Sequence, residues 1–457
     1  MAIPTLEGLT AAVKGRVVER GQSGYDEARA LYNRMIDKHP AAITYCVDEA
    51  DVAAAIGFAR ERGLRLAVRC GGHNGAGLAS VDDGLVIDLS SMNEVTVDSS
   101  ARMVRVQGGA KFGEVDRATY EHGFAVPAGI ISTTGVGGLT LGGGVGHLSR
   151  GAGLTIDNLV AATVVLADGS IVQTDAERDP DLFWAIRGGG GNFGVVTSFS
   201  FRGHPTTKTM QAGPVLYDIG DAAELLRWYR DFLPAQPDAL TGFFAFLSIP
   251  PGPPFPEELH LRKVCGVVWC YNGEDDSPAL REARSWGTPL LDGIAPVPLP
   301  DWNSAFDAVY PAGDQWYWRG EFVKEIPDAA IEQHVKFGEA MPTWKCTMHL
   351  YPIDGAGSRI GSDEMAWAYR DAIWSQVIAG VDPDPANAGV IRDWAVSYSD
   401  AVRPYTLGTG YVNFQMQETG DKVRAMYGPN YDRLAKIKGK YDPDNVFSVN
   451  QNIAPTA

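Results

Sequence analysis

A glycine-rich loop around one histidine places the strongest constraint on the fold of this chain. Residues 64–68 form an alternating apolar run that predicts a β-strand. The strand leads into residues 69–77, where four of the last seven residues are glycine and His73 stands among them. Glycine permits positive φ angles and lets a ligand approach the main chain, and successive N–H groups of such a loop form a concave anion site. The loop therefore predicts a binding site for a diphosphate.

Length and charge exclude several classes of protein. The chain has 457 residues, which is too long for one ordinary core and predicts two or more domains. Its net charge of −17 argues against binding to nucleic acids and to anionic membranes. The five cysteines include no C-x-x-C pair and the eight histidines are scattered, so neither disulfides nor a metal site is expected. No transmembrane run or signal peptide is visible, which predicts a cytoplasmic protein.

A second glycine-rich stretch covers residues 127–158. Seven of the twelve residues 135–146 are glycine, too many for an ordinary helix or strand. The alternative is a low-complexity linker. The glycines alternate with apolar residues between structured segments, however, and this pattern favours a backbone that surrounds a ligand closely.

A third glycine cluster contains a G-x-G-x-x-G pattern, at Gly189, Gly191 and Gly194. The nicotinamide fingerprint requires a strand before this pattern and a helix after it. Here residues 179–187 predict a helix before it and residues 195–201 a strand after it, so the order is reversed. The sequence therefore does not predict a Rossmann site.

The remaining pattern predicts an α+β protein with a change of character near residue 205. Strands and helices alternate through residues 1–205. Residues 206–410 are richer in proline and tryptophan and predict a second domain, an antiparallel sheet with helices on one side. The helices predicted there are residues 222–232, 277–285, 329–340 and 364–379, and the strands are residues 241–249, 264–271 and 347–350. From residue 411 the sequence again resembles residues 1–205 in character, and this C-terminal segment begins with a predicted strand.

Five segments, taken together and in order, resemble the FAD-linked oxidases of the vanillyl-alcohol-oxidase superfamily, in particular the berberine-bridge-enzyme-like branch. They are residues 69–75, 135–146, 153–158, 181–199 and 441–453. The resemblance includes bacterial members such as 6-hydroxy-D-nicotine oxidase and antibiotic-tailoring oxidases. The resemblance implies a PCMH-type FAD-binding domain from residues 1–205 and 411–457, with residues 206–410 inserted as the substrate-binding domain.

The same resemblance implies covalently bound FAD. His73 occupies the position of the histidine that bonds the flavin 8α-methyl group. Many members add a cysteine bonded to flavin C6, four residues before the first glycine of a G-x-G-G motif. That glycine is Gly135 here, so the position is Ile131 and a single covalent link is implied. The other residues that the resemblance assigns to the cofactor are Arg69, Cys70, Gly71, Gly72, Asn74, Gly75, Thr133, Thr134, Gly135, Gly137, Gly138, Gly142, Gly143, Gly146, Asp157, Asn158, Gly194, Val196, Asn450 and Asn452.

The implied reaction is transfer of a hydride from a small alcohol, amine or phenolic natural product to the flavin, with reoxidation by O2 to give H2O2. Two alternatives stay open: a dehydrogenase or oxidative cyclase with little O2 reactivity, and an idle FAD-carrying binding protein. Thr134 stands where the family's residue is thought to affect oxygen access, and a threonine does not decide between oxidase and dehydrogenase. The partners implied are the substrate and O2, in a monomer or homodimer.

Candidate catalytic residues come from the predicted strand at residue 411. Tyr411 is the main candidate for the base, Asn413 would orient the ring or the substrate, and Gln417 would lie on the same strand face. An aromatic residue packed at a domain seam is the structural alternative for Tyr411. Four further residues could line the substrate cavity, and they are Trp316, Trp318, His349 and Tyr351.

Overall fold

The computed structural model describes residues 6–273 and 277–456, which form an α+β protein as the sequence predicts. Its strands are β1 Val17–Glu19, β2 Ala42–Tyr45, β3 Leu66–Arg69, β4 Leu85–Asp88, β5 Val95–Asp98, β6 Met103–Gln107, β7 Phe124–Ala125, β8 Leu159–Val165, β9 Ile171–Asp175, β10 Val195–Arg202, β11 His204–Pro205, β12 Met210–Asp218, β13 Leu240–Ser248, β14 Lys263–Tyr271, β15 Leu291–Asp292, β16 Ala295–Val297, β17 Gln315–Val323, β18 Thr347–Pro352 and β19 Trp374–Asp382. Its helices are α1 Leu9–Ala12, α2 Tyr25–Arg29, α3 Glu49–Glu61, α4 Phe112–Tyr120, α5 Val136–Gly142, α6 Ser149–Ala152, α7 Pro180–Ile186, α8 Ala222–Phe232, α9 Pro278–Arg284, α10 Leu299–Ser304, α11 Asp328–Glu339, α12 Ala388–Val402, α13 Asp421–Tyr427 and α14 Tyr431–Tyr441. Among the described helices, none is both long and apolar enough to cross a membrane.

The first sheet positions residues 69–77, the glycine-rich loop around His73, which we call the histidine loop. Its strand order is β1-β2-β4-β3, with β4 parallel to both β2 and β3. Helix α3 packs on the sheet, and Asp48 caps it by accepting the N–H of Asp51 at 2.9 Å. The histidine loop begins where β3 ends, so it leaves the sheet at the carboxyl ends of three parallel strands.

The second sheet has the order β5-β6-β10-β8-β9 and is antiparallel throughout. Strands β5 and β6 pair as a hairpin at one edge of this sheet. The third glycine cluster connects α7 to β10, as the sequence predicts, so a helix precedes it and a strand follows it.

The third sheet contains eight antiparallel strands in the order β15-β12-β14-β13-β18-β19-β17, with β16 beside β12. Helices α8, α11 and α12 cover one face. Alternation sorts the side chains of β13: Phe244 and Phe246 pack under the helices, whereas Phe243 and Ala245 face the opposite side. That opposite side packs against residues 125–156 of the first part of the chain.

The C-terminal helices return to the first part of the chain. Leu434 and Ile437 of α14 share a core with Leu182 of α7 and with the second sheet. Every strand of the third sheet lies between residues 210 and 382. The domain division at residues 205 and 411 stays a prediction.

Three predicted elements are wrong. Residues 364–379 do not form a helix: the segment leads into β19, and the helix follows at α12. The glycine-rich run contains a helix, α5, between its loops. The predicted strand at residue 411 is a 3-10 turn, Val412–Phe414, so the strand alternation that placed Gln417 does not apply.

Candidate active site

A cavity of about 330 Å³ lies between the glycine-rich loops and the third sheet. This volume is within the range of about 300–1,000 Å³ that is typical of small-molecule sites. The predicted residues that line it are Cys70, Gly71, Gly72, His73, Asn74, Thr134, Gly135, Gly137, Gly138, Gly194, Val196, Trp316, Trp318, His349, Tyr351, Tyr411, Asn413 and Asn450. Most of the predicted site therefore converges on one cavity.

The first two glycine loops touch through their backbones. A Cβ atom on Gly71 would overlap the backbone nitrogen of Gly135, and a Cβ on Gly135 would overlap the nitrogen of Gly71. Gly72 adopts a φ of 69°, which favours glycine. This contact brings the histidine loop onto the start of α5 and fixes both at the cavity wall.

His73 is held on both sides. Its Nε2 lies 3.0 Å from the hydroxyl of Thr133, and its ring stacks on Tyr32 with centroids 4.0 Å apart. Burial, assisted by the charge of Lys111, lowers the pKa of His73 to about 4. The imidazole is therefore neutral at neutral pH, and a ring nitrogen keeps its lone pair.

Tyr32 and Asn33 are site residues that the sequence analysis missed. Asn33 donates to the carbonyls of Gly75 at 2.7 Å and Trp316 at 2.9 Å, and it accepts the N–H of Trp316 at 3.0 Å. It thereby ties the histidine loop to strand β17. No local pattern marks either residue, because both act through contacts with distant segments.

Several groups at the cavity suit a flavin nucleotide. None of the N–H groups of residues 72–74 donates to another described residue, which leaves the predicted anion site free. A Cβ on Gly138 or Gly191 would meet nothing within 4 Å, so the backbone is open there. The side-chain oxygen of Asn450 is buried without a partner. A cofactor with an anionic and a hydrogen-bonding portion fits this set.

Cys70 and Ile131 bear on the number of covalent links. Ile131, at the position where the resemblance implies a second link in many members, lines the cavity. Cys70 lies under α5, where a Cβ on Gly137 would stand 2.6 Å from its sulfur. Burial raises the pKa of the Cys70 thiol to about 12, so the reactive thiolate does not form at neutral pH.

The hydroxyl of Tyr411 is buried and accepts two hydrogen bonds. The N–H of Gly144 donates to it at 2.8 Å and the side-chain amide of Asn413 at 2.6 Å. Burial raises the pKa of Tyr411 above its ordinary value. The phenol is therefore protonated at neutral pH, and its own O–H is free to donate.

The third sheet supplies the opposite wall. Trp316 and Trp318 of β17 meet edge to face at 5.6 Å, and Trp318 packs against Gly75 of the histidine loop. His349 and Tyr351 of β18 are joined by a hydrogen bond of 2.7 Å between Nδ1 and the phenol. Tyr310, from the loop before β17, completes this aromatic wall.

The other predicted residues do not line the cavity, and they are Arg69, Gly75, Thr133, Gly142, Gly143, Gly146, Asp157, Asn158, Gln417 and Asn452. Asp157, Asn158 and Gln417 have other partners or face solvent. Asp157 forms a buried ion pair with Arg370 at 2.7 Å, and Asn158 caps the turn above it through the carbonyls of residues 152 and 154. Gln417 is exposed and does not line the cavity, and its catalytic role stays a prediction.

Arg69, Gly142 and Gly143 support the site from behind. Arg69 pairs with Asp88 at 2.5 Å within the first sheet. A Cβ on Gly142 would overlap the side chain of Asn413, and one on Gly143 would overlap Trp367. These residues allow close packing and do not line the cavity. By contrast, Gln451 lines the cavity between Asn450 and Asn452, and the sequence analysis did not select it.

Known proteins identify the family. A profile of FAD binding domains matches residues 40–175, and one of berberine and berberine-like proteins matches residues 410–454. The chain is 28% identical to (R)-6-hydroxynicotine oxidase of Paenarthrobacter nicotinovorans over 97% of both chains. The crystal structure of 6-hydroxy-D-nicotine oxidase from Arthrobacter nicotinovorans superposes with a TM-score of 0.86 at 25% identity, covering 99% of this chain and 100% of that one.

A further relative is the FAD-linked oxidoreductase YgaK of Bacillus subtilis, with 31% identity over 96% of this chain and 97% of the relative. These matches extend over both the glycine-rich loops and the third sheet. The predicted resemblance is confirmed: this chain belongs to the berberine-bridge-enzyme-like branch of the FAD-linked oxidases, in the vanillyl-alcohol-oxidase superfamily.

Proposed function

We propose that this FAD-linked enzyme is an oxidase that takes a hydride and a proton from a small alcohol, amine or phenolic substrate and then passes the electrons to O2 as H2O2. The observation that carries the proposal is the position of His73, a neutral imidazole that faces the same cavity as the aromatic wall of the third sheet. The relative named (R)-6-hydroxynicotine oxidase favours an oxidase over a dehydrogenase.

His73 is the proposed single tether of the flavin. Its neutral ring keeps a lone pair with which to form the bond, and the Tyr32 ring and the Thr133 hydroxyl fix its orientation. Ile131 offers no second nucleophile at the position where relatives carry a cysteine. The cofactor is thus held at one point, and the opposite side of the cavity stays open to substrate.

The chain's own residues would bind and orient the substrate. When bound, the flavin supplies the hydride acceptor. Trp316 and Trp318 provide flat apolar surface for the substrate, and the O–H of Tyr411 is free to donate to a substrate oxygen. Because burial keeps Tyr411 protonated, we assign it the role of a hydrogen-bond donor and not that of the base. Asn413 holds the phenol in position.

Acid precipitation of the purified protein tests the tether. We expect yellow colour to remain with the denatured polypeptide, and we expect His73→Ala to lose its flavin into the supernatant. His122→Ala is the matched control, because His122 is an exposed histidine away from the cavity. A colourless pellet from the wild-type protein, or a yellow one from His73→Ala, would contradict the covalent bond to His73.

The reaction with O2 separates an oxidase from a dehydrogenase. Stopped-flow mixing of the reduced protein with O2 should show fast return of the oxidised flavin absorbance and one equivalent of H2O2. Slow return, combined with fast transfer to an artificial acceptor, would identify a dehydrogenase. Thr134 lines the cavity beside the tether, so Thr134→Val is expected to alter this rate without releasing the flavin.

A further inference from the structure

The substrate side of the cavity carries no charge. Although 21% of the chain is Asp, Glu, Lys or Arg, none of these types occurs among the described residues that line the cavity. Ion pairs lie behind the wall and do not line it: Lys345 pairs with Asp314 at 2.5 Å, and Arg69 with Asp88. A charged substrate group would lose its hydration here without meeting a counter-ion, which is strongly unfavourable.

His349 and Tyr351 form a polar pair in this neutral wall. Within the described chain, the phenol of Tyr351 has only the Nδ1 of His349 as a hydrogen-bond partner, at 2.7 Å. A buried hydroxyl without an acceptor is costly, so Tyr351 donates to Nδ1. Burial lowers the pKa of His349 to about 3, which keeps the ring neutral. In a neutral ring whose Nδ1 accepts, Nε2 carries the hydrogen.

The Nε2–H of His349 is therefore a donor available to a ligand. It has no partner among residues 6–273 and 277–456, and it is not sealed within the protein as both ring nitrogens of His147 are. His349 itself is only 5% exposed, and it lines the cavity. In the register of the sheet, His349 of β18 lies opposite Val377 of β19 on the cavity face. Two residues along these strands, Thr347 lies opposite Ala379, which in turn lies opposite Trp318 of β17.

Tyr411 supplies a second donor, and its ring shares a neighbour with the ring of Tyr351. The rings of Tyr411 and Tyr351 both pack against Phe414, with centroids 4.8 Å and 5.8 Å away. The oxygen of Tyr411 already accepts two hydrogen bonds, so its hydrogen is the part that can reach a ligand. Two neutral donors thus line one cavity, within a wall of aromatic and apolar side chains.

We propose that this cavity selects an uncharged aromatic substrate through an oxygen that accepts hydrogen bonds from His349 Nε2–H and the Tyr411 hydroxyl. The inference rests on the proposed function and narrows its substrate class to neutral, oxygen-bearing aromatic molecules. Protonated amines and carboxylates are excluded. Tyr351 is a positioning residue, since it acts by fixing which nitrogen of His349 carries the hydrogen.

Equilibrium binding to the FAD-loaded protein tests the proposal without turnover. The ligands share one ring size: benzaldehyde offers a neutral acceptor oxygen, toluene offers none, benzylamine is a cation at pH 7, and benzoate is an anion. Titration calorimetry should find benzaldehyde the tightest, toluene about 3- to 10-fold weaker for each lost hydrogen bond, and both ions weaker still. Equal or tighter binding of either ion, or no preference for benzaldehyde, would overturn the proposal.

Substitution of His349 locates the donor. His349→Leu should weaken benzaldehyde binding about 3- to 10-fold and leave toluene binding unchanged. His334 is the matched control, because its Nδ1 also lies 2.8 Å from a tyrosine hydroxyl and it is equally buried, but it does not line the cavity. Unchanged benzaldehyde affinity in His349→Leu, relative to His334→Leu, would overturn the proposal.

Tyr351→Phe isolates the positioning role. The ring nitrogens of His349 are then free to exchange the hydrogen, so benzaldehyde binding should weaken while toluene binding does not. If the His349 variant fails to fold, the ligand series on the wild-type protein and on Tyr351→Phe still decides the question. Loss of acid-stable flavin would count against the proposed function alone, whereas loss of ligand selectivity in a yellow, O2-reactive protein would count against this inference alone.

Discussion

Lys438 is a buried cation that ties the C-terminal helix to two segments of the cavity. Its side chain is 0% exposed, as is that of its partner Asp442. The ammonium donates to Asp442 at 2.6 Å and to the carbonyls of Asn192 at 2.6 Å and Phe447 at 3.0 Å. Asn192 and Phe447 both line the cavity. One side chain thus holds two parts of the cofactor site in register with helix α14.

Lys438→Met removes the charge and all three donors while preserving most of the side-chain volume. Loss of one partner of a buried ion pair typically costs about 3–5 kcal/mol, because the other charge is left uncompensated. Asp442 retains the N–H groups of Val446 and Phe447 at 2.8 and 2.9 Å, which still stabilise its charge. We therefore expect a loss near the lower end, about 3 kcal/mol in the free energy of unfolding.

Urea unfolding of the FAD-loaded protein measures this loss. Circular dichroism follows the unfolding of the whole protein, and flavin fluorescence follows the unfolding of the cavity. The urea midpoints of both signals should fall, and the flavin signal should change at the lower urea concentration. Lys436→Met is the matched control, because Lys436 is exposed on the same helix and should change stability by less than about 0.5 kcal/mol. The double variant Lys438→Met/Asp442→Asn should recover part of the loss. The reasoning is refuted if Lys438→Met is no less stable than Lys436→Met.

Two further predictions concern pH and packing. Burial lowers the pKa of His334 and His349 to about 3, so below pH 6.5 the unfolded chain binds protons that the folded chain does not. The free energy of unfolding should therefore fall from pH 6.5 towards pH 4, by up to about 1.4 kcal/mol per pH unit for each such histidine. His334→Gln should flatten the plot of melting temperature against pH, and a plot identical to that of the wild-type protein would contradict this. Gly137→Ala should destabilise the protein by about 1–3 kcal/mol, since its Cβ would stand 2.6 Å from the sulfur of Cys70. Gly138→Ala has open space in the same helix and should not lower the melting temperature of the apoprotein, so an equal loss in both variants would refute the packing argument.

The local sequence pattern predicts an element well when it separates a buried face from an exposed face. Helix α8 was predicted at its observed bounds, because one of its faces is apolar and the other polar. Strand β19 was mistaken for a helix because all nine of its residues are buried, so the alternation that marks a half-exposed strand is missing. Burial on both faces removes the signal that distinguishes a strand from a buried helix.

The residues of the candidate site also divide into those that the sequence pattern marks and those that it does not. His73 and the glycines around it could be recognised from the chain, since their chemistry and spacing are local. Tyr32 and Asn33 could not, because each acts on a loop about forty residues away through a contact that only the folded chain creates. Gln417 was misplaced because a 3-10 turn at residues 412–414 resets the direction of the side chains that follow.

The contact between Gly71 and Gly135 also limits how this protein can be recombined. Each glycine occupies the space in which the other's side chain would stand, so the restriction is mutual. A chimera whose crossover falls between residues 71 and 135 joins two loops of different ancestry. Such a chimera keeps the joint only if both parents contribute glycine at these two positions. The histidine loop and the start of α5 must therefore stay compatible with each other in any chimera, even though more than sixty residues separate them along the chain.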